Sequence, residues 1–289
     1  MKPAPFDYVR IDHPDELTEQ LAEHGSDAAV LAGGQSLLPL LNQRLRRPRV
    51  LLDLSQCPAL QSIELDGQTL RIGAGATQAA VLRAPQLAQA APLLAQALPQ
   101  IGNPQIRSRG TLCGSLAHAH PLAELPVCWV ALDGHILLQS QRGVRRVAAA
   151  DFFFAPHQTA CQADEFIAQA VLPRLTQDVG QAFAEVTVRG TGQAQVACAA
   201  VAWSDRVRVA VAAGQAAPRV ADWPWLPQPE LAAQLEVLAR SLDLIAVPRD
   251  EHAYRRRLVV HLGLTVLKRA RQARQSVLAQ PSMVVEQAR

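Results

Sequence analysis

The chain has 289 residues, 49% hydrophobic and 18% charged, which is enough apolar material for more than one packed unit and argues against intrinsic disorder. Lys and Arg total 28 against 25 acids, and a net charge of +3 without a recognisable nucleic-acid module excludes a dedicated nucleic-acid binder. The five cysteines, Cys57, Cys113, Cys128, Cys161 and Cys198, are widely spaced and form no CxxC pair, which excludes a zinc knuckle or a self-contained iron–sulfur site.

The N-terminal MKPAPFDYVRIDHPDEL has no apolar h-region, and no run approaches ~18 uncharged apolar residues. Neither a secretory signal nor a membrane span is expected, and cytoplasmic residence with reduced thiols follows. Residues 14–24 predict a helix, with Pro14 near its start, Leu17 and Leu21 on one face, and Gly25 past its end. A buried strand is expected at 28–31, stopping at Gly33–Gly34. Ser36 is placed to cap a helical turn carrying Leu37, Leu40 and Leu41. Pro48 ends that turn, and 50–54 reads as a second buried strand.

Strands at 62–65 and 69–72 flank Asp66–Gly67, a hairpin signal. Residues 85–98 carry helical spacing, and 102–110 reads as a loop rich in Gly, Pro and Arg. A second strand–turn–strand is expected over 130–139, turning at Asp133–Gly134. Strands follow at 183–188, 196–203 and 206–212, the last two joined by Ser204–Asp205. Helices are expected at 229–241 and 252–273. Strands mixed with helices at both ends predict an α+β protein. Three units are expected: 1–55 (small α/β), 56–175 (mixed α+β) and 176–289 (antiparallel sheet with helices).

Two segments carry candidate chemistry. In Leu31–Pro39 (LAGGQSLLP) a buried strand runs into two glycines and a helix start, where close backbone approach and free amides suit an anion such as a pyrophosphate. It holds no GKS or GKT and no GxGxxG, so neither a P-loop nor the dinucleotide fingerprint applies, and a ligand-free tight turn stays open. Ile101–Pro126 crowds Gly102, Asn103, Ser108, Gly110, Thr111, Gly114 and Ser115 together, a density that calls for a ligand or for mutual hydrogen bonds. Thr111 and Ser115 can donate hydroxyl bonds, and Glu124 can accept from a sugar hydroxyl.

Together, AGGQSLLP and RGTLCGSLAHAHPLAELP resemble the two FAD motifs of the medium subunits of molybdenum hydroxylases, including carbon monoxide dehydrogenase medium subunits and, more distantly, xanthine dehydrogenase FAD domains. RLRRPRVLLDLSQ, LRIGAGATQAAVLRAP and EHAYRRRLVVHLGLTVLKRA extend the resemblance from Phe6 to about residue 270. It implies a two-part fold clasping FAD, followed by a C-terminal sheet-and-helix unit. It places Ala32, Gly33, Gly34, Gln35, Ser36 and the adjoining Leu37 along the pyrophosphate. Thr111, Gly114 and Ser115 would face it from the second motif, with His118 inside that motif. Ile101 and Gly102 would lie near the flavin or ribityl chain, and Glu124 near the FAD ribose. No catalytic residue and no metal ligand is expected in this chain.

The resemblance also implies an oxidoreductase complex, a heterotrimer or dimer of heterotrimers. Its large subunit would carry molybdopterin and its small subunit two [2Fe–2S] clusters, with this chain passing electrons through FAD to an external acceptor. A scaffold subunit that has lost FAD and a stand-alone flavin oxidase are the alternatives. Three departures from the family bear on flavin exposure and acceptor choice. Cys113 replaces a glycine of TIGG, His120 stands where many relatives have Asp, and Gly192–Gln195 reads GQAQ where GDFA or GDYA is usual. Other features have plainer readings. Arg44, Arg46, Arg47 and Arg49 read as a surface or partner contact, with pyrophosphate charge balance as the alternative. Phe152–Phe154 read as packing, and His118, His120 and Glu124 lack a fourth metal ligand.

Overall fold

The computed structural model describes residues 2–188 and 192–279. The chain opens with β1 (Asp7–Arg10), α1 (Pro14–His24), β2 (Ala28–Leu31), α2 (Leu37–Asn42) and β3 (Val50–Asp53). The three strands form a parallel sheet in the order β1-β3-β2. Ile11, Leu17, Leu21, Leu52 and Leu54 are its buried core, which continues into Ala74, Phe166 and Ala168 of the next layer. The N-terminal sheet therefore shares apolar packing with the middle of the chain.

The hairpin β4 (Ile63–Asp66) and β5 (Thr69–Gly73) follows, with Gly67 at φ +50 in its turn. Then come the short helices α3 (Gln78–Arg83), α4 (Leu87–Ala90), α5 (Pro92–Ala97), α6 (Pro104–Arg109), α7 (Leu112–His118) and α8 (Glu124–Ala131). They lead to the hairpin β6 (His135–Ser140) and β7 (Gly143–Ala148), then α9 (Ala149–Phe152), β8 (Phe153–Ala155), β9 (Gln158–Thr159) and β10 (Phe166–Pro173). β10 joins the two hairpins into one sheet ordered β4-β5-β10-β6-β7.

Three expectations are corrected here. The helix expected over 85–98 is broken at Ala91 (φ −146°) because Pro92 lacks the amide a continuing helix needs. The expected loop 102–110 contains α6, whose Asn103 cap and Pro104 at the first position are helix-start chemistry. Asp133–Gly134 closes a helix instead of a hairpin. Every residue of α8 is buried, so its sequence is apolar all round and shows no helical stripe.

The C-terminal part holds β11 (Gly180–Thr187), β12 (Ala194–Ala202), β13 (Arg206–Ala212), β14 (Arg219–Pro224), α10 (Gln228–Ser241) and α11 (His252–Ala279). The four strands form an antiparallel sheet in sequence order. Alternate residues of β12 face opposite sides. Ala197, Ala199 and Val201 pack with α5 and α8, whereas Val196, Cys198 and Ala200 pack with α10 and α11. Helices on both faces explain why β12 is Ala-rich and apolar throughout. The approach is closest at Gly180, where a β-carbon would lie 1.9 Å from the Ala270 carbonyl oxygen. No helix among the described residues is long and apolar enough to cross a membrane.

Candidate functional site

The first motif leaves β2 and turns through Gly33 and Gly34 into α2. Gly33 lies against the second motif: a β-carbon there would sit 2.1 Å from Arg109 O and 2.7 Å from Gly110 Cα. The two motifs thus meet backbone to backbone at a position only glycine can occupy. Gly34 has φ +71°, and a β-carbon would meet Leu38 Cδ1 at 2.9 Å, so its requirement is set by the turn itself. Ser36 does not cap α2 with its side chain, contrary to expectation, because its own backbone is already in the helical region. Instead Leu38 N donates to Gly34 O at 3.0 Å. Among the described residues, the amides of Gly33, Gly34, Gln35 and Ser36 have no protein acceptor.

The second motif is held by a pair of matched caps. Thr111 Oγ1 accepts from Gly114 N at 3.0 Å, and Thr77 Oγ1 accepts from Ala80 N at 3.1 Å. The two threonines form an antiparallel bridge, with Gln78 N donating to Gly110 O at 2.8 Å and Leu112 N to Ala76 O at 3.1 Å. The starts of α3 and α7 are therefore locked together, which fixes Gly110 beneath Gly33.

Between the motifs lies a cleft of about 420 Å³, within the usual range of small-molecule sites. Of the residues expected in the site, Ala32, Gly33, Gly34, Gln35, Ser36, Leu37, Ile101, Thr111, Gly114, Ser115 and His118 line it. Gly102 and Glu124 do not. Gly102 (φ +49°) faces Ile106. Glu124 is buried in the first turn of α8, where burial raises its carboxyl pKa and Glu185 of β11 is its neighbour. Burial, then repulsion from Glu124, pushes Glu185 up to about 8.

Cys113, whose thiol stands where the family has glycine, is a buried residue of the cleft lining, and its Sγ donates toward Ile72 O and Gly73 O at 3.5 and 3.6 Å. Burial pushes this thiol up to about 12, so it is an inert packing group. His118 and His120 do not share a strand face. His118 ends α7, Ala119 takes the left-handed conformation, and His120 follows. With His157 they form a cluster of rings at centroid distances of 4.6, 5.2 and 6.0 Å. Burial, then the neighbouring His157 and His120, lowers His118 to about 4, so it is neutral at physiological pH. His120 Nε2 lies 2.7 Å from the Gln193 side-chain amide, which places the GQAQ segment beside the second motif.

Several lining residues lie outside both sequence motifs. Arg46 of the basic run lines the cleft, and Ile106, Phe166 and Ile167 add apolar wall. Glu165, with 2% side-chain exposure, lines it while its carboxylate accepts from Arg145 Nε and Nη2, both at 2.7 Å. That hydrogen-bonded pairing holds Glu165 below the usual carboxylate range. Gln78 also lines the cleft, directly after a threonine cap like that of the second motif, and this shared Thr-cap pattern was the available sequence signal.

A sequence profile described as FAD binding domain in molybdopterin dehydrogenase matches residues 4–175. The chain is 34% identical to the 6-hydroxypseudooxynicotine dehydrogenase complex subunit alpha of Paenarthrobacter nicotinovorans, over 96% of this chain and 99% of that one. It is 34% identical to the carbon monoxide dehydrogenase medium chain of Hydrogenophaga pseudoflava, over 70% of each. Among solved structures, the carbon monoxide dehydrogenase of that organism superposes with a TM-score of 0.90 at 26% identity, covering 94% of this chain and 99% of that one. Quinoline 2-oxidoreductase from Pseudomonas putida superposes with a TM-score of 0.86 at 29% identity, covering 95% and 100%.

Proposed function

Because the chain belongs to the FAD-binding medium subunits of the molybdenum hydroxylases, we propose that it holds FAD in the cleft between Gly33 and Gly110 and is the electron-transferring subunit of its complex. The observation that carries this reading is the contact of two glycine turns, far apart in sequence, around a cleft edged by unpaired amides. Oriented N–H groups at a glycine turn stabilise a diphosphate without adding side-chain bulk.

In this reading the amides of Gly33 to Ser36 bind the pyrophosphate from one side, and Thr111, Gly114 and Ser115 approach from the other. Arg46 supplies formal positive charge, since His118 is neutral. Ala32, Leu37, Ile101 and Ile106 exclude water from the cofactor's apolar parts. The Arg145–Glu165 pair keeps an acidic wall residue neutralised. When bound, FAD supplies the exchange between one-electron and two-electron transfer. The chain's residues bind and orient it.

The partners in this proposal are a large molybdopterin subunit and a small subunit with [2Fe–2S] clusters, joined in a heterotrimer. A medium-chain relative in carbon monoxide dehydrogenase supports that assembly. The division into units at 1–55, 56–175 and 176–289 belongs to the same proposal.

The test is to purify the complex, record its visible absorbance and identify the released cofactor. One reducible FAD per chain, copurifying with molybdenum and iron, is the expected result. A folded chain that carries no flavin and takes up none from added FAD overturns the proposal.

A further inference from the structure

Gln78 is the first residue of α3, and its backbone N–H is tied to Gly110 O at 2.8 Å. That bond fixes the residue to the second glycine motif. The residue is 3% exposed, yet it lines the cleft and its buried Oε1 has no hydrogen-bond partner among the described residues. A β-carbon at Gly110 would lie 3.7 Å from this oxygen and 3.5 Å from Gln35 Cγ, which puts the oxygen at the junction of the two motifs.

A buried carbonyl oxygen without a donor is costly, and such groups are rare unless a ligand or water completes them. Apolar residues of similar size would fill the position without that cost. We infer that the Gln78 carboxamide is a ligand-binding group that accepts a hydrogen bond from the occupant of the cleft. The inference rests on FAD being that occupant.

The chemistry narrows the contact. A pyrophosphate has only acceptor oxygens, so it cannot satisfy Oε1. The donors nearest a pyrophosphate are the hydroxyls of the two flanking chains, the adenosine ribose and the ribityl group. Gln78 therefore grips a sugar-type hydroxyl beside the diphosphate, while the amides of the first motif hold the diphosphate itself.

The experiment uses the full-length chain, freed of flavin and titrated with FAD, comparing the native protein with Gln78→Met, which keeps length and removes the acceptor. Loss of one such bond weakens FAD binding about tenfold. The melting temperature of the flavin-free protein should stay the same or rise, because the unpaired oxygen is gone. Competition by ADP assigns the contact: weaker ADP binding in the variant points to the ribose, and unchanged ADP binding with weaker FAD binding points to the ribityl chain. Unchanged FAD affinity overturns the inference, and so does a loss of affinity accompanied by a lowered melting temperature, which marks a structural role. Native protein that binds no FAD rejects the proposed occupant, and this inference with it.

Discussion

Gly33 and Arg109 are separated by most of the N-terminal half of the chain, yet a β-carbon at position 33 would sit 2.1 Å from the Arg109 carbonyl oxygen. That contact makes the two glycine motifs a single site. The obstacle is backbone, so it cannot rotate away as a side chain would.

Gly33→Ala is therefore expected to push α2 and α6 apart. The cost is about 1–3 kcal/mol, the usual range for overpacking, and flavin content should fall with it. Denaturant unfolding and the ratio of flavin to protein absorbance measure both effects. A variant with native stability and full flavin would show that the two turns do not meet. Gly34→Val would be a less direct probe, because the φ of +71° at Gly34 strains any β-branched residue before a ligand is considered.

Thr111→Val removes the hydroxyl that accepts from Gly114 N. We expect a loss of about 1 kcal/mol, typical for a helix cap, together with weaker FAD retention. Thr111→Ser should restore both, since it keeps the oxygen. Equal behaviour of the Val and Ser variants in thermal melts would contradict the role of the cap.

Cys113 should not react with alkylating agents at pH 8 in the folded protein and should react on unfolding, because its thiol is buried and pushed up to about 12. Cys113→Gly, the residue usual in the family, is expected to destabilise α7 by about 1 kcal/mol while leaving FAD affinity unchanged. A large gain in FAD affinity would mean that the thiol obstructs the cleft.

The half-buried Glu185 lies beside the buried Glu124, and Glu185 Oε2 has no donor in its deprotonated form. One shared proton turns two acceptors into a donor–acceptor pair. The folded-state pKa of Glu185, about 8, lies above its ordinary value of 4.5. The unfolded chain therefore releases this proton at lower pH than the folded chain does. The resulting stabilisation is complete below pH 4.5 and is lost as pH rises through about 8. Glu185→Gln should flatten that decline, which melting curves between pH 5 and pH 9 would reveal. Parallel curves for the native protein and the variant would reject the shared proton.

By itself the sequence determined the local elements whose signals are short-range. Pro14 and Gly25 bounded α1, the apolar run 28–31 became β2, and the two late helices formed where they were expected. It also determined the two glycine motifs, and with them the resemblance and eleven of the lining residues. Tertiary structure alone decided what those motifs touch. Glu124 carries the same carboxyl group in sequence wherever it sits, and only the packing of α8 on the C-terminal sheet brings it beside Glu185. α8 is apolar on every side because other elements cover it all round, so periodicity held no information about its type, and for β12, read as a strand, it held none about its neighbours. Glu165 came to the cleft through long-range packing, which no local pattern of residues encodes, whereas Gln78 carried a local signal in the Thr77 cap before it.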